Sequence, residues 1–398
     1  MLIDRVSQEI TSGNCVLFVG AGSTTEKWRQ GPGFYSKIKE MTSLADESHP
    51  GFPEVMEKFC AERDNGHHNL LIREAISYLE PFCLSGPASR AASEFGRHVA
   101  AIPFFKIIVT TNWDPLLERA LDVLVPITED RDLAFWDDHR KQVLKLHGCI
   151  TRPHSIVATQ QDYEQCVRNN KILFNKLRDL MATKTFLFTG YSLRDDDFRE
   201  IWDSITMTLG RFAKSAYALD PSASDEEIAD WAKRGISIFR FNDVQFIQEL
   251  RKHFVGARLV PADKLVAFLM RERGRVLRIH MSNNQDSDGE LMSAMYQDGL
   301  LYALDDILDS IQLGTRTQED FENDLGVTVN YVREARKAKD SIEIAYSSGR
   351  LIAISAFFEG EANELPTYFH PYKLTPISKL VKGRVWKRVP RLNKKPDG

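Results

Sequence analysis

Residues 15–25 read Cys15-Val16-Leu17-Phe18-Val19-Gly20-Ala21-Gly22-Ser23-Thr24-Thr25, and the reading of this stretch decides the fold. An apolar run rich in β-branched and aromatic residues that stops abruptly at small residues predicts a buried strand entering a tight turn. Gly20 and Gly22 let a ligand come close to the backbone, and Ser23 offers a hydroxyl, as in the phosphate-binding turns of α/β folds. Such turns also occur with no ligand, so the meaning of this one depends on whether other parts of the chain answer it.

Working outward, 3–10 has helical spacing and Gly13-Asn14 breaks it before the strand. After the turn, Gly31-Pro32-Gly33 forms a loop, 34–41 starts a helix, and 52–84 reads as two or three short helices with no strand. A helical insertion over about 34–100 is foreign to plain β/α alternation and predicts a small subdomain able to lid a site. Strand 106–109 then ends in Thr110-Thr111-Asn112-Trp113-Asp114, with Asp114 as N-cap and Pro115 in the first turn of a helix. Strand 143–146 ends in His147-Gly148. Strand 185–189 runs into Gly190-Tyr191-Ser192, and the following Asp195, Asp196 and Asp197 read as helix capping, with a metal site as the alternative. Strand 216–219 (closed by Asp220), helix 225–233, strand 236–241 and helix 244–254 complete the series. This alternation predicts an α/β fold: a Rossmann-like, doubly wound, largely parallel sheet with a helical insertion.

Each tip residue has a plain reading beside the functional one. Asn112 sits where open α/β sheets bind ligands, but a loop asparagine can equally bond its own backbone. His147, followed by glycine at a strand tip, can reach a ligand, or its ring can be satisfied by a backbone carbonyl.

From about Val260 the texture changes, giving a predicted division into 1–258 and a C-terminal α+β region, 259–398. Residues 262–270 and 291–313 read as amphipathic helices. Residues 317–338 read as two helices broken at Gly326, a helical hairpin rather than a DNA-reading helix-turn-helix, because the first helix is acidic (Glu319, Asp320, Glu322, Asp324). Residues 341–358 read as a β-hairpin around Ser347-Ser348-Gly349. A basic stretch follows over 373–395. The stripe Met295, Leu300, Leu301, Leu304, Ile307, Leu308 and Ile311 needs burial against the first domain or a second copy, which predicts a homo-oligomer.

The 398 residues, 43% hydrophobic and 27% charged, suffice for two packed domains. A formal net charge of −4 argues against a chain-wide nucleic-acid surface, so nucleic acid is left only to the basic tail. No apolar run reaches bilayer length, the N-terminal stretch lacks a signal-peptide core, and the expectation is a cytoplasmic protein without a membrane partner. Five scattered cysteines (Cys15, Cys60, Cys83, Cys149, Cys166) form no CxxC pair, which predicts reduced thiols and no metal.

Taken in chain order, GAGS at Gly20–Ser23, TTNWD at Thr110–Asp114, LHG at Leu146–Gly148 and GYS at Gly190–Ser192 resemble the NAD-site set of the sirtuin family, over roughly residues 16–254. Deacylating sirtuins carry two zinc-holding CxxC pairs, a DFR segment and a glutamine before the asparagine. Here the cysteine pairs are absent, WRQGPGFYSKI stands for the DFR segment, and the glutamine is Thr111. In these respects the chain is more similar to bacterial sirtuin-like NAD hydrolases of antiphage defence. That resemblance implies an NAD glycohydrolase releasing nicotinamide and ADP-ribose, with Asn112 and His147 catalytic. It also implies a cofactor-binding set of Gly20, Ala21, Gly22, Ser23, Thr111, Asp114, Gly190, Tyr191, Ser192 and Asp220, with Asp114 on the nicotinamide carboxamide. A phage-derived trigger or a partner defence protein is implied as well.

The chemistry agrees with the residue types. Breaking the nicotinamide–ribose bond passes through an oxocarbenium-like state, which needs orientation, a placed nucleophile and one group near neutrality. An asparagine carboxamide can donate and accept, and histidine titrates near pH 7. The competing expectations are NAD-dependent deacylation or ADP-ribosyl transfer, and a non-catalytic NAD-sensing module acting on DNA or a partner.

Overall fold

Six short apolar runs form six strands: β1 (Cys15–Val19), β2 (Ile107–Thr110), β3 (Gln142–Lys145), β4 (Thr185–Thr189), β5 (Ala216–Leu219) and β6 (Ile236–Phe239). All pair in parallel, in the order β3-β2-β1-β4-β5-β6. The register sets Val16 of β1 between Ile107 of β2 and Phe186 of β4. Helices cover both faces of such a sheet, so β1, β3, β4 and β5 are buried along their whole length and lack the period-two alternation of a one-sided sheet. Strand order reverses between β1 and β4, β2 and β3 being added on one side and β4 to β6 on the other, and the crevice at this switch point is where doubly wound sheets take ligands.

These elements come from a computed structural model, which describes residues 2–359 apart from 48–49, 85, 139, 194–195, 258–262, 283–287, 314–315 and 317. The chain divides into two compact units, Met1–Arg251 and Lys252–Gly398. The basic stretch 373–395 and Asp195 lie outside the described residues, as do the side chains of Asp196 and Asp197.

In the first unit the connection from β1 to β2 carries, after the short helix Thr25–Trp28, five more helices among the described residues: Phe34–Glu40, Phe52–Arg63, Asn69–Cys83, Pro87–Ala92 and Glu94–Ala100. They have a core of their own, with Phe34, Ile38, Val55, Met56, Phe59 and Leu71 buried. The expected helical insertion is therefore present, and 52–84 resolves into two helices.

The second unit departs from its expected α+β character. Its described residues form helices only: Asp263–His280, Asp288–Leu313, Gln318–Ala338 and Ser341–Glu359. The segment expected to be a β-hairpin is the last of these. Its β-branched residues and Ser-Ser-Gly imitate strands and a turn, but the segment is buried nearly all round, and a helix apolar on every side carries no clean 3.6 period. The Ser347-Ser348-Gly349 stretch is a point of contact. A Cβ on Gly349 would lie 2.1 Å from the Tyr296 carbonyl oxygen, and one on Gly299 would lie 2.0 Å from that of Tyr346, so the two helices touch backbone to backbone.

Gln318–Ala338 runs unbroken through Gly326, which replaces both the hairpin and the helix-turn-helix. One glycine costs a helix about 1 kcal/mol relative to alanine, and packing of Phe321, Leu325, Val329 and Val332 exceeds that. The apolar stripe of 291–313 is also resolved differently from expectation. Leu300, Leu304 and Ile307 are buried, with Met295, Leu301, Leu308 and Ile311 packed alongside, against Leu351, Ile352 and Phe357 of the same unit. Neither the first domain nor a second copy is needed to cover it. No described helix is long and apolar enough to cross a membrane.

Candidate active site

Four neighbouring strands, β3, β2, β1 and β4, end on one edge of the sheet, and each carries one of the short motifs. The turns after β1 and β4 interlock at the switch point. Gly20 donates its N–H to the Thr189 carbonyl (2.9 Å) and Gly22 to that of Gly190 (3.0 Å). Gly190 has φ +57°, and a Cβ there would fall 2.1 Å from the Ser23 nitrogen. A Cβ on Gly20 would stand 2.2 Å from the Gly190 oxygen. The close approach expected of a ligand at Gly20 is thus made by the chain itself. What the turn offers outward is Ser23, whose buried hydroxyl has no partner among the described residues, and the exposed backbone of Gly22.

The next tip is fixed by threonines. Thr110 Oγ1 donates to the Val19 carbonyl (2.7 Å) and accepts from the Asn112 N–H (3.0 Å), tying β2 to β1. Asn112 is 6% exposed, and its Nδ2 donates to Thr24 Oγ1 at 3.0 Å. That bond uses one of the two N–H donors of the carboxamide and fixes its orientation, with Oδ1 as the accepting end. Beside it, Trp113 packs edge-on to Phe34 (ring centroids 5.5 Å) and against Phe52 (5.9 Å), which clips the insertion to the β2 tip.

His147 stands at the adjacent β3 tip, half-buried, with Nδ1 3.4 Å from the Tyr163 hydroxyl and the two rings 4.8 Å apart. It lines a small pocket with Leu146, Val157, Tyr163, Cys166 and Tyr191 among its walls. The two tips are joined through the backbone, Leu146 N–H to the Thr110 carbonyl (2.9 Å) and Ile150 N–H to that of Trp113 (2.9 Å).

Asp114 lies deeper than an outward ligand contact would. It is 2% exposed, and its Oδ1 accepts the Leu116 N–H (3.0 Å); the N-cap expected at Asp114 falls one residue later, on Pro115, and the helix runs Leu116–Leu121. Burial pushes its carboxyl above the usual range, Lys145 pulling the other way. Lys145 is itself fully buried; burial alone would lower its pKa, but Glu118, at 2.9 Å, together with Cys149 and Asp114, holds it above the ordinary lysine value.

The remaining expected residues are more dispersed. Thr111 is half-buried and Ser192 exposed. Asp220 spends one carboxylate oxygen on Ser222, on its N–H (2.8 Å) and hydroxyl (2.7 Å). Past the first turn, Tyr78 donates to Glu26 (2.9 Å) and Lys27 pairs with Asp243 (3.0 Å), pinning the segment that follows Ser23.

Sequence reasoning passed over Thr24, Lys145, Glu118 and Tyr163. Lys145 left a signal, a lysine within the apolar run expected at 143–146. The others left none, because their partners lie far off in sequence. Among the described residues no group of His, Cys, Asp and Glu is arranged to hold a metal.

Residues 106–239 match the family described as a SIR2-like domain. Over those residues the chain is similar to a SIR2-like domain. The match begins at Lys106 and leaves β1 out, yet β1 pairs in register with both β2 and β4. The sheet of the matched residues is thus completed by β1, which lies outside the match.

The chain is also 24% identical, over 261 residues, to the NAD(+) hydrolase ThsA of Cytobacillus dafuensis, covering 63% of this chain and 50% of that protein. It is 24% identical over 237 residues to the NAD(+) hydrolase ThsA of Enterococcus faecium (58% and 48%). With that of Acinetobacter baumannii (strain 532279) it shares 25% over 236 residues (55% and 45%). The chain spans about half the length of these curated relatives.

Proposed function

We propose that the SIR2-like domain hydrolyses NAD to nicotinamide and ADP-ribose. The observation that carries this reading is the pairing of Asn112 and His147 on adjacent strand tips beside the switch point, joined by Leu146–Thr110 and Ile150–Trp113 backbone bonds. The names of the relatives, NAD(+) hydrolases, support the same chemistry.

In this reading NAD lies over the tips of β1 and β4, with the Ser23 hydroxyl and the Gly22 backbone toward its phosphates and ribose. Asn112, steadied by the bond from its Nδ2 to Thr24, accepts at Oδ1 from a ribose hydroxyl or from the attacking water. His147 manages the proton of that hydroxyl or water near neutral pH. Asp114, by its place between Asn112 and the buried Lys145, steadies the nicotinamide end. Thr111, Tyr191 and Ser192 border the same crevice, and Asp220 belongs to its far wall. No resident metal takes part.

The wider proposal follows the resemblance: a cytoplasmic effector of antiphage defence that depletes NAD, its activity governed by the helical second unit through a trigger, a partner protein or self-association. Self-association is supported by Val327 and Tyr331, apolar residues one turn apart that stand 51% and 54% exposed. It is measured as mass in solution by light scattering.

Incubating the purified chain with NAD and following nicotinamide by chromatography tests the activity. Release without any acylated peptide is the expected result. Release only with an acylated peptide would favour deacylation, and binding without turnover would favour a sensing module.

A further inference from the structure

We propose that Lys145 and Glu118 form a buried positioning pair that holds the Asn112 loop in register with His147; the inference rests on the reading of these tips as an NAD-cleaving site. Lys145 is the last residue of β3, two before His147, and its side chain is wholly buried. Its ammonium donates to the backbone carbonyl of Asp114 at 2.6 Å and meets Glu118 Oε1 at 2.9 Å. Glu118 belongs to the helix Leu116–Leu121, which starts directly after the Asn112 loop. Cys149, two residues beyond His147, faces the same carboxylate, its sulfur 3.7 Å from Oε1. Residues 145 and 149 therefore converge on Glu118 from either side of His147. One carboxylate underlies both loops.

Hydrophobic burial does not require this arrangement. Taking two charges out of water costs several kcal/mol per ion, and apolar side chains of similar volume commonly replace such a pair with little loss of stability. The backbone bonds already described hold β3 to β2 without it. What an apolar pair cannot do is donate to the Asp114 carbonyl. That bond sets the orientation of the peptide at Asp114, and through it the position of Asn112, two residues earlier, relative to His147. Displacement of a reacting group by about 1 Å can reduce a rate about 100-fold.

The test uses the 398-residue chain carrying Lys145→Met together with Glu118→Leu. The expected result is a melting temperature within a few degrees of the parent, a kcat for nicotinamide release lower by about 30-fold or more, and a KM for NAD changed by less than about 3-fold. A purely structural pair gives the opposite pattern, parental kcat in whatever fraction is folded. If the double variant does not fold, Lys145→Met alone is assayed below its melting midpoint, with rates referred to the folded fraction by circular dichroism. A parental kcat in either variant, or failure of both to fold, overturns the proposal and assigns the pair to stability. A parent chain that releases no nicotinamide overturns the reading of the site instead, so the two failures are distinct.

Discussion

In the sheet unit a group of buried polar side chains gathers where strands end: Ser23, Thr24, Thr110, Asn112, Asp114, Lys145 and Thr189. In the helical unit they are strung along helix faces, as Gln297, Ser310, Thr328, Ser347 and Ser348. Parallel strands about 4.8 Å apart finish on one edge, so polar residues placed after each strand converge on one crevice however far apart they lie in sequence. Polar residues spaced along a helix are carried apart by its 1.5 Å rise and meet the neighbouring helix one at a time. The first arrangement concentrates chemistry. The second fixes helix packing.

Loss of Asn112 or His147 breaks this contrast most directly. Asn112→Ala or His147→Ala should lower NAD cleavage by about 100-fold or more, since each removes orientation or proton transfer. The fold should survive. Asn112→Ala forfeits the bond to Thr24, an effect of about 1 kcal/mol. Folded variants that cleave NAD at the parental rate would remove the site from these tips.

The helical unit offers the counterpart. Gly349→Val thrusts a branched side chain at the Tyr296 carbonyl and should destabilise the unit by about 3 kcal/mol or more. Five of the six tryptophans, Trp28, Trp113, Trp136, Trp202 and Trp231, lie in the sheet unit. Far-ultraviolet circular dichroism should therefore show early loss of helix while tryptophan fluorescence keeps its parental transition. A second unit that governs the first predicts a changed rate of nicotinamide release in the same variant. Parental melting by both signals would mean that the two helices do not touch at Gly349.

Legibility followed the same divide. Thr185–Thr189 and Ala216–Leu219 were readable to the residue, because a short apolar run punctuated by Gly, Asp or Lys has few alternatives. The tip motifs were readable for the same reason. Asn112 and His147 stand immediately after such runs. The partners that hold them were not, since Thr24 reaches Asn112 across 88 positions and Lys145 at the end of β3 reaches Glu118 on the helix that follows β2. In the second unit, Ser341–Glu359 hid its helix because it is apolar on nearly every side, and Gly349 resembled a turn residue while serving a helix contact. Periodicity reports a boundary between wet and dry faces, and that helix has almost none.

The smallest effect concerns acid. The segment after Ile127 covers the outer edge of β3, with Ile127 N–H on the Val143 carbonyl and Lys145 N–H on that of Ile127, both 2.8 Å. Asp132 anchors it: its Oδ2 accepts from the N–H (2.9 Å) and hydroxyl (2.8 Å) of Thr128 and meets Arg152 at 2.7 Å. Burial alone would raise this carboxyl, but the bonds from Thr128 and the Arg152 guanidinium bring it below the usual range. A carboxylate depressed in the folded state contributes stability that is complete above its unfolded pKa of about 3.9 and is lost as pH falls through the lower folded value. Asp132→Asn lacks that contribution at every pH. The parent should therefore exceed the variant at pH 7 by about 1 kcal/mol, or about 2–4 °C in the fluorescence-detected midpoint, with the gap closing below about pH 4. A gap that persists unchanged into acid would mean that Asp132 acts through packing rather than charge. One seen only in the helical signal would move the acid-sensitive element out of the sheet unit and undo the contrast at its polar edge.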